Sequence, residues 1–397
     1  MIISSLKNVV KSDLDYFGNR KNPWHLRVLV SGNFIQQVEN GIYTHCYLGS
    51  IVLNKIQSIF TKELSRIGFL EYSFPMVQSI RTWDEEILKK FGNRIRYVSD
   101  GLILAPSNEE YAHHILQGLN LTYKSLPYGI LGNRDCFREE IRPKNGLLRT
   151  REFRIIDGYM VCEDEKTYEE KFEQIKQAIA LASSIIGVKV KLNLFYYHGG
   201  TEFSEEFVVE FDHIGEQRVK ICPKCHKRYR AIQFERCECG NDLIIKRGIE
   251  FADVIRHGIL SMDGYKGFIG RDGKYKPFYL LSFGVGLSKL IGLVIEQTHE
   301  KEEFVWPLTI TPFNLIIIPD KKIIATAREY VEKFQHHSII FDDRNLSIGR
   351  RVKEAYCLGA PRIVIIKKSV EKVELIDRVK NQTFYDVNLS QVLNTGF

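Results

Sequence analysis

The chain has 397 residues, of which 44% are apolar and 26% are charged, so its length allows two or three domains with buried cores and its composition is ordinary for a globular protein. The formal net charge of +7 suits a polyanionic partner but does not by itself indicate nucleic acid. Lys7 and Lys11 precede any long apolar run and the longest apolar segments are strand-sized, so we predict no secretion signal and no membrane span, and we expect a cytoplasmic protein.

The first predicted elements are a long helix and a strand. Apolar residues recur at helical spacing from Ile51 to Ile67, and Gly68 then ends the helix. A strand is predicted from Phe69 to Phe74, before Pro75.

A polar segment opens the next predicted helix, which runs through His114 and Leu116. It reads Leu104-Ala105-Pro106-Ser107-Asn108-Glu109-Glu110. Ser107 and Glu110 have the Ser-x-x-Glu spacing of a capping box, so helix capping alone could explain both residues.

Two strands joined by a basic loop are predicted between Phe137 and Phe153. The segment contains four arginines and three carboxylates, within Phe137-Arg138-Glu139-Glu140-Ile141-Arg142-Pro143 and Gly146-Leu147-Leu148-Arg149-Thr150-Arg151-Glu152-Phe153. Arginine pairs bidentately with phosphate oxygens, and a neighbouring carboxylate accepts hydrogen bonds from an amino group, so this loop suits a polyphosphate ligand. The alternative is a solvated hairpin with cross-strand ion pairs.

The eight cysteines form one cluster and four single residues. After a predicted helix over 168–182 and a β-like segment over 189–197, the chain reaches Cys222-Pro-Lys-Cys225 and Cys237-Glu-Cys239-Gly240. Paired cysteines on short turns are typical of a zinc ribbon, and four thiolates indicate a structural site because no position stays open for a catalytic water. The competing interpretation is a pair of disulfides. We expect the single cysteines to be buried packing residues: Cys46, Cys136, Cys162 and Cys357.

Two glycines precede the next predicted helix, within Phe283-Gly284-Val285-Gly286-Leu287-Ser288-Lys289-Leu290. Glycine lets the backbone approach a nucleotide, and a helix N-terminus favours phosphate. The pattern is weak alone, since it lacks a third glycine and the Gly-Lys-Ser/Thr of a P-loop.

The composition changes from Trp306 onward to a small α/β unit. Buried strands are predicted over 315–318, 339–341 and 363–366, with helices over 325–334 and 352–358, so we expect a largely parallel sheet. Asp343, Arg344, Arg350 and Arg351 surround one loop, where they would either meet RNA phosphates and bases or simply cap a strand end and remain solvated.

Together these segments resemble, in order, the landmarks of class II aminoacyl-tRNA synthetases of the prolyl family. The helix and strand before Pro75 resemble motif 1, the Arg138 to Phe153 hairpin resembles motif 2, and the glycine pair resembles motif 3. The resemblance implies an α/β fold with an antiparallel catalytic sheet flanked by helices over 1–305, a zinc ribbon at about 217–248, and a C-terminal α/β anticodon-binding domain over 306–397. Bacterial members commonly carry a large editing domain between motifs 2 and 3, and we expect none here because that interval contains only the ribbon.

The resemblance also implies an activity, proline–tRNA ligase, with ATP, Mg²⁺ and a structural Zn²⁺ as ligands. The partners would be tRNA(Pro), proline and a second copy of the chain. Arg138 would bind the α-phosphate and the amino-acid carboxylate, Glu140 the adenine amino group, and Arg149 the γ-phosphate. The remaining implied contacts are Ser107, Glu109, Ser204 and Glu205 with the amino acid; Gly284, Gly286 and Lys289 with ATP; Asp343, Arg344, Arg350 and Arg351 with tRNA; and Cys222, Cys225, Cys237 and Cys239 with zinc.

Three positions depart from the family pattern. Lys289 stands where the family has an arginine that stacks on adenine, Glu205 stands in place of a histidine, and Ser107 in place of a threonine. The alternative function is therefore a synthetase-like paralogue that activates another amino acid or binds tRNA without charging it.

Overall fold

The computed structural model of the chain describes residues 2–4, 13–196, 203–230, 235–259, 267–334 and 338–394. The last residue of the predicted β-like segment over 189–197 lies outside these residues. The chain forms two compact units, one made of residues 1–39, 43–56 and 294–397 and the other of residues 40–42 and 57–293. Among the described residues, no helix combines the length and the apolarity that crossing a membrane requires.

The predicted helices form, and those predicted with both bounds begin and end one to four residues away from the predicted positions. In chain order the α-helices are α1 (Leu14–Gly18), α2 (Trp24–Ser31), α3 (Tyr47–Ser65), α4 (Glu85–Phe91), α5 (Glu109–Gly118), α6 (Glu165–Ile185), α7 (Leu287–Glu296), α8 (Ile324–Glu332), α9 (Ile348–Cys357) and α10 (Leu389–Asn394). Gly68, which follows α3, has a φ of +105°, a conformation that favours glycine and stops the helix.

The strands of the described residues belong to both units. In chain order they are β1 (Ile2–Ser4), β2 (Ile35–Glu39), β3 (Ile42–His45), β4 (Phe69–Tyr72), β5 (Val77–Ser79), β6 (Arg96–Ser99), β7 (Leu102–Leu104), β8 (Tyr128–Phe137), β9 (Glu152–Cys162), β10 (Lys191–Tyr196), β11 (Phe203–Phe211), β12 (Gln217–Ile221), β13 (Arg228–Arg230), β14 (Ile244–Ile259), β15 (Phe268–Ile269), β16 (Tyr275–Lys276), β17 (Tyr279–Gly286), β18 (Leu315–Pro319), β19 (Ile339–Phe341), β20 (Arg362–Ser369), β21 (Lys372–Asp377) and β22 (Gln382–Val387).

The larger unit is built on a nine-stranded sheet. Its main path runs β10-β11-β14-β17-β9-β8-β4, and β12 and β13 extend from β14. All pairs on the main path are antiparallel except β4 with β8, which confirms the predicted antiparallel sheet. Helix α6 packs on β9, β14 and β17, so one face of this part of the sheet is covered.

The smaller unit contains a six-stranded sheet in the order β1-β19-β18-β20-β21-β22. The first four strands are parallel and the last two are antiparallel, so the predicted parallel sheet forms and a hairpin extends it. Its core contains Ile317, Phe341 and Val364, with helices α8 and α10 contributing Val331 and Leu393. The pairing of β1 with β19 was not predicted. The predicted domain boundary at residue 306 stays a prediction.

The motif 2 segment differs from the predicted hairpin in one respect. Strands β8 and β9 end at Phe137 and begin at Glu152, which are register partners, so residues 138–151 form the loop rather than parts of the strands. Pro143 has no N–H to donate to a ladder, and Asn145 and Gly146 have φ values of 59° and 58°. These residues end the extended conformation, and a short 3₁₀ turn, Gly146–Leu148, follows.

Candidate functional site

One cavity brings together all six residues that the sequence suggested for ATP. It has a volume of about 540 Å³, and Arg138, Glu140, Arg149, Gly284, Gly286 and Lys289 all line it. Phe153, Ile155 and Phe251 supply apolar walls. Residues from β9, β14, β17 and the motif 2 loop therefore meet in a space that suits a small ligand.

The motif 2 loop holds its charged groups in a defined arrangement. Glu140 forms an ion pair with Arg149 at 3.0 Å. Although burial alone would raise the pKa of Glu140, hydrogen bonds from Arg149 and from the backbone N–H of Arg142 hold that pKa below its usual value. Arg138 Nε donates to the carbonyl of Pro106 at 2.9 Å, and its guanidinium lies 5.2 Å from the Phe153 ring centroid. A second aromatic ring, that of Phe91, lies 5.7 Å away, so Arg138 is held by one nitrogen and two aromatic contacts.

Motif 3 begins as predicted, because α7 starts directly after Gly286. A Cβ atom on Gly284 would lie 3.2 Å from Asp253 Oδ1, so glycine leaves room for the Asp253 carboxylate beside the backbone. Lys289 Nζ donates to Glu216 Oε2 at 3.0 Å and to the Glu250 carbonyl at 2.8 Å. The ammonium of Lys289 is thus oriented by two acceptors within the cavity.

Sequence reasoning missed three acidic residues of this cavity, Glu216, Glu250 and Asp253. Burial, and second the Glu250 carboxylate, raise the pKa of Asp253 to about 7, while Gly284 donates a backbone hydrogen bond to it at 3.2 Å. The sequence does carry a signal for two of them, because Glu250 and Asp253 are acids three residues apart in the largely apolar strand β14. Arg94 also lines the cavity, and no motif pointed to it.

The Ser107 to Glu109 segment lies beside Arg138 through the Pro106 contact. Ser107 Oγ accepts the N–H of Glu109 at 3.1 Å rather than completing the capping box with Glu110. Between them, buried Asn108 donates to both oxygens of Asp157, at 2.7 and 2.9 Å. Burial raises the pKa of Asp157 to about 6, against hydrogen bonds from Asn108 and Tyr159 that lower it. This network was not predicted, and it fixes the segment that carries Ser107 and Glu109.

The structure separates the two residues suggested from strand β11. Ser204 and Glu205 are both buried, and alternate residues of a strand point to opposite faces. Glu205 forms a 2.8 Å ion pair with Lys176 of α6, whereas Glu206 is the register partner of Asp253. Glu205 therefore lies against the helix and is not brought to the cavity, and Glu206 shares the sheet face of the cavity residue Asp253.

The four clustered cysteines meet in space, with sulfur atoms that all lie within 4.8 Å of one another. Cys222 Sγ and Cys239 Sγ are 3.5 Å apart, and Cys225 Sγ and Cys237 Sγ are 3.4 Å apart. These distances exceed an S–S bond of about 2.05 Å and are close to the roughly 3.8 Å that tetrahedral Zn–S bonds of about 2.3 Å imply. A backbone hydrogen bond from Asn241 and contacts with neighbouring thiols lower the pKa of Cys239 to about 6.

The residues suggested for tRNA contact lie in the smaller unit and are largely paired within it. Asp343 accepts from Arg328 at 2.8 Å, and Arg344 pairs with Asp342 at 2.8 Å. Arg351 is 1% exposed and donates to the carbonyls of Asp342 and Pro319, so its placement is that of a core residue. Arg350 is the most exposed of the four, with 57% of its side chain accessible.

A comparison with known protein families identifies a matching core domain. Residues 94–298, just over half of the chain, match the tRNA synthetase class II core domain (G, H, P, S and T). The chain therefore belongs to the class II aminoacyl-tRNA synthetases, and the predicted family is confirmed.

Within that class, this chain is similar to curated proline–tRNA ligases. The Bartonella bacilliformis enzyme is 29% identical over 88% of this chain and 90% of its own length, and the Sulfurimonas denitrificans enzyme is 27% identical over 89% and 90%. Among solved structures, the Giardia lamblia prolyl-tRNA synthetase in complex with prolyl-adenylate has a TM-score of 0.74 and 16% identity, covering 97% of this chain and 77% of that one. The Cryptosporidium parvum enzyme complexed with halofuginone and AMPPNP has a TM-score of 0.72 and 16% identity over 94% and 75%. The structural likeness shows a shared fold.

Proposed function

We propose that this chain activates proline with ATP and transfers the prolyl group to tRNA(Pro). The observation that carries the proposal is the convergence of six separately predicted residues, from motif 2 and motif 3, on one cavity. Proline is proposed as the amino acid because the similar enzymes are proline–tRNA ligases.

The chemistry needs no nucleophile from the protein. The carboxylate of the amino acid attacks the α-phosphorus of ATP, the bond to the leaving pyrophosphate breaks, and an aminoacyl-adenylate forms. Arg138 and Arg149 stabilise the charge that develops on the phosphates, and Glu140 accepts a hydrogen bond from the adenine amino group. A hydroxyl of the terminal tRNA ribose then attacks the acyl carbon, and AMP leaves.

The donor set of the cavity fits Mg²⁺, which prefers carboxylate oxygens and substrate phosphates. Glu216, Glu250 and Asp253 would hold it, and the buried Glu216 Oε1 has no hydrogen-bond partner within the described residues. The ion would neutralise part of the polyphosphate charge. In the ribbon, Cys222, Cys225, Cys237 and Cys239 would hold a structural Zn²⁺.

We also propose a homodimer that works in the cytoplasm, where tRNA is charged. Strand β4, which the family resemblance places in the dimerisation motif, is at the edge of its sheet, and its Leu70 is 52% exposed. Light scattering should give twice the chain mass of 46.1 kDa. A mass of one chain at assay concentration rejects the dimer.

The deciding experiment is ATP–pyrophosphate exchange by the purified protein with each standard amino acid in turn. Proline-dependent exchange supports the proposal, whereas exchange with a different amino acid shows that the enzyme activates that amino acid instead. The ion pair between Lys289 and Glu216 favours the second candidate, a non-charging paralogue, because a lysine engaged by a carboxylate is less available to phosphate. No exchange with any amino acid, in protein that binds tRNA, supports that candidate.

A further inference from the structure

The cysteine ribbon holds most of the excess positive charge of the protein. Residues 217–248 contain nine Lys or Arg and three Asp or Glu, a formal net charge of +6, against +7 for the whole chain. A divalent metal on four thiolates would lower this by about two charges and leave the ribbon basic. No step of the proposed adenylation uses this charge.

Two arginines at the base of the ribbon lie directly opposite each other. In the antiparallel pair of β12 and β14, Arg218 is the register partner of Arg247, and both side chains are exposed. Like charges in this position destabilise a sheet. The structure gives Arg218 no acidic partner among the side chains it describes, and Arg247 donates to the carbonyl of His213 at 3.3 Å.

Four of the other ribbon cations are neutralised by ion pairs. Lys227, Arg228, Arg236 and Lys246 each form an ion pair, with Glu238, Glu210, Asp242 and Asp212 respectively. The opposed arginines Arg218 and Arg247 have no such acidic partner among the described side chains, so the repulsion between them is retained. An anion between the two guanidinium groups would relieve it.

This arginine pair lies close, along its two strands, to residues that line the cavity. Glu216 and Glu250, which line the cavity, are two residues before Arg218 and three residues after Arg247. A strand rises about 3.3 Å per residue, so each arginine is within roughly 7–10 Å of the cavity along its strand. Glu216 also binds Lys289, which joins the base of the ribbon to the cavity wall.

We propose that Arg218 and Arg247 bind the phosphate backbone of the RNA strand whose 3′ end enters the cavity. The inference rests on the proposed charging of tRNA and adds a contact made by the ribbon. Arginine suits this role because its planar fork pairs bidentately with phosphate, and the release of counterions from RNA provides the binding free energy. The exposed side chain of Ile245, two residues before Arg247 on the same face of the strand, adds an apolar surface beside the pair.

Arg218→Glu separates this role from a structural one. The substitution puts an opposite charge across from Arg247, so a purely structural pair becomes more stable, whereas RNA binding becomes weaker. The matched control is Lys166→Glu, which makes the same charge change at a side chain that is 86% exposed on α6. Metal content and thermal unfolding show whether the ribbon of the variant is folded. If Arg218→Glu loses its metal, Arg218→Gln replaces it in the binding experiment.

The direct measurement is binding of labelled tRNA by fluorescence anisotropy at several salt concentrations. We expect Arg218→Glu to weaken binding about tenfold or more and to reduce the slope of log affinity against log salt by about 0.7–0.9 for each lost phosphate contact, with no such change in the control. ATP–pyrophosphate exchange, which needs no tRNA, should keep its wild-type rate. Unchanged tRNA affinity in a metal-loaded Arg218→Glu protein overturns the inference, while absence of exchange in the wild type rejects only the proposed activity.

Discussion

Replacement of Arg138 by alanine should abolish adenylate formation and leave the protein folded. In the free protein this side chain makes one hydrogen bond through Nε, to the Pro106 carbonyl, and aromatic contacts with Phe153 and Phe91. Neither Nη atom has a hydrogen-bond partner among the described residues. These two donors are therefore available to the α-phosphate and to the amino-acid carboxylate.

The two costs of Arg138→Ala differ in size. Loss of one hydrogen bond and two partly exposed cation–π contacts should lower the free energy of unfolding by about 2 kcal/mol. Loss of a preorganised charged donor at the reacting phosphate should raise the activation free energy by about 3 kcal/mol or more, which is roughly a 150-fold slower exchange. The effect on catalysis should therefore exceed the effect on stability.

ATP–pyrophosphate exchange, with circular dichroism and thermal unfolding on the same samples, measures both costs. The control is Arg142→Ala, in the same loop, because Arg142 is exposed and does not line the cavity. We expect the control to retain nearly full exchange. A folded Arg138→Ala protein that exchanges within a factor of three of the wild type would refute the assignment.

Three further predictions concern other parts of the molecule. Lys289→Arg should lower the apparent KM for ATP by a factor of about five, equivalent to roughly 1 kcal/mol, since a guanidinium can stack on adenine and keep two acceptors; a higher KM in steady-state kinetics contradicts this. The protein as isolated should contain about one zinc per chain, and Cys239→Ser should lose it and disorder the ribbon, whose core is small; metal analysis that finds none in reduced, active protein rejects the site. Asp157 has a pKa of about 6 in the folded protein against about 4 when unfolded, so it binds more protons when folded, and its contribution to stability falls by about 3 kcal/mol as the pH rises from 4 to 7. Asp157→Asn should lose this part of the pH dependence in urea unfolding, and equal slopes in both proteins would contradict it.

Local patterns in the sequence were enough to identify the long helices, several strands and the class. Each motif is a short segment whose chemistry depends on neighbouring residues, so the arginines and acids of the motif 2 loop, the glycines before α7 and the paired cysteines could be found one by one. The order of these motifs along the chain then indicated the family. The parallel C-terminal sheet followed from alternating apolar strands and helices.

Contacts between distant segments were decided only by the tertiary structure. Lys289 and Glu216 are 73 residues apart, and no local pattern links them. In strand β11 the acidic residues are adjacent, so the sequence could not tell which one faces α6; a two-residue period assigns faces only after one face is known. In the folded protein Glu205 pairs with Lys176, and Glu206 lies opposite Asp253 in the neighbouring strand. Burial of Arg351 likewise depends on the carbonyl groups at the ends of β18 and β19, which only the folded sheet brings together.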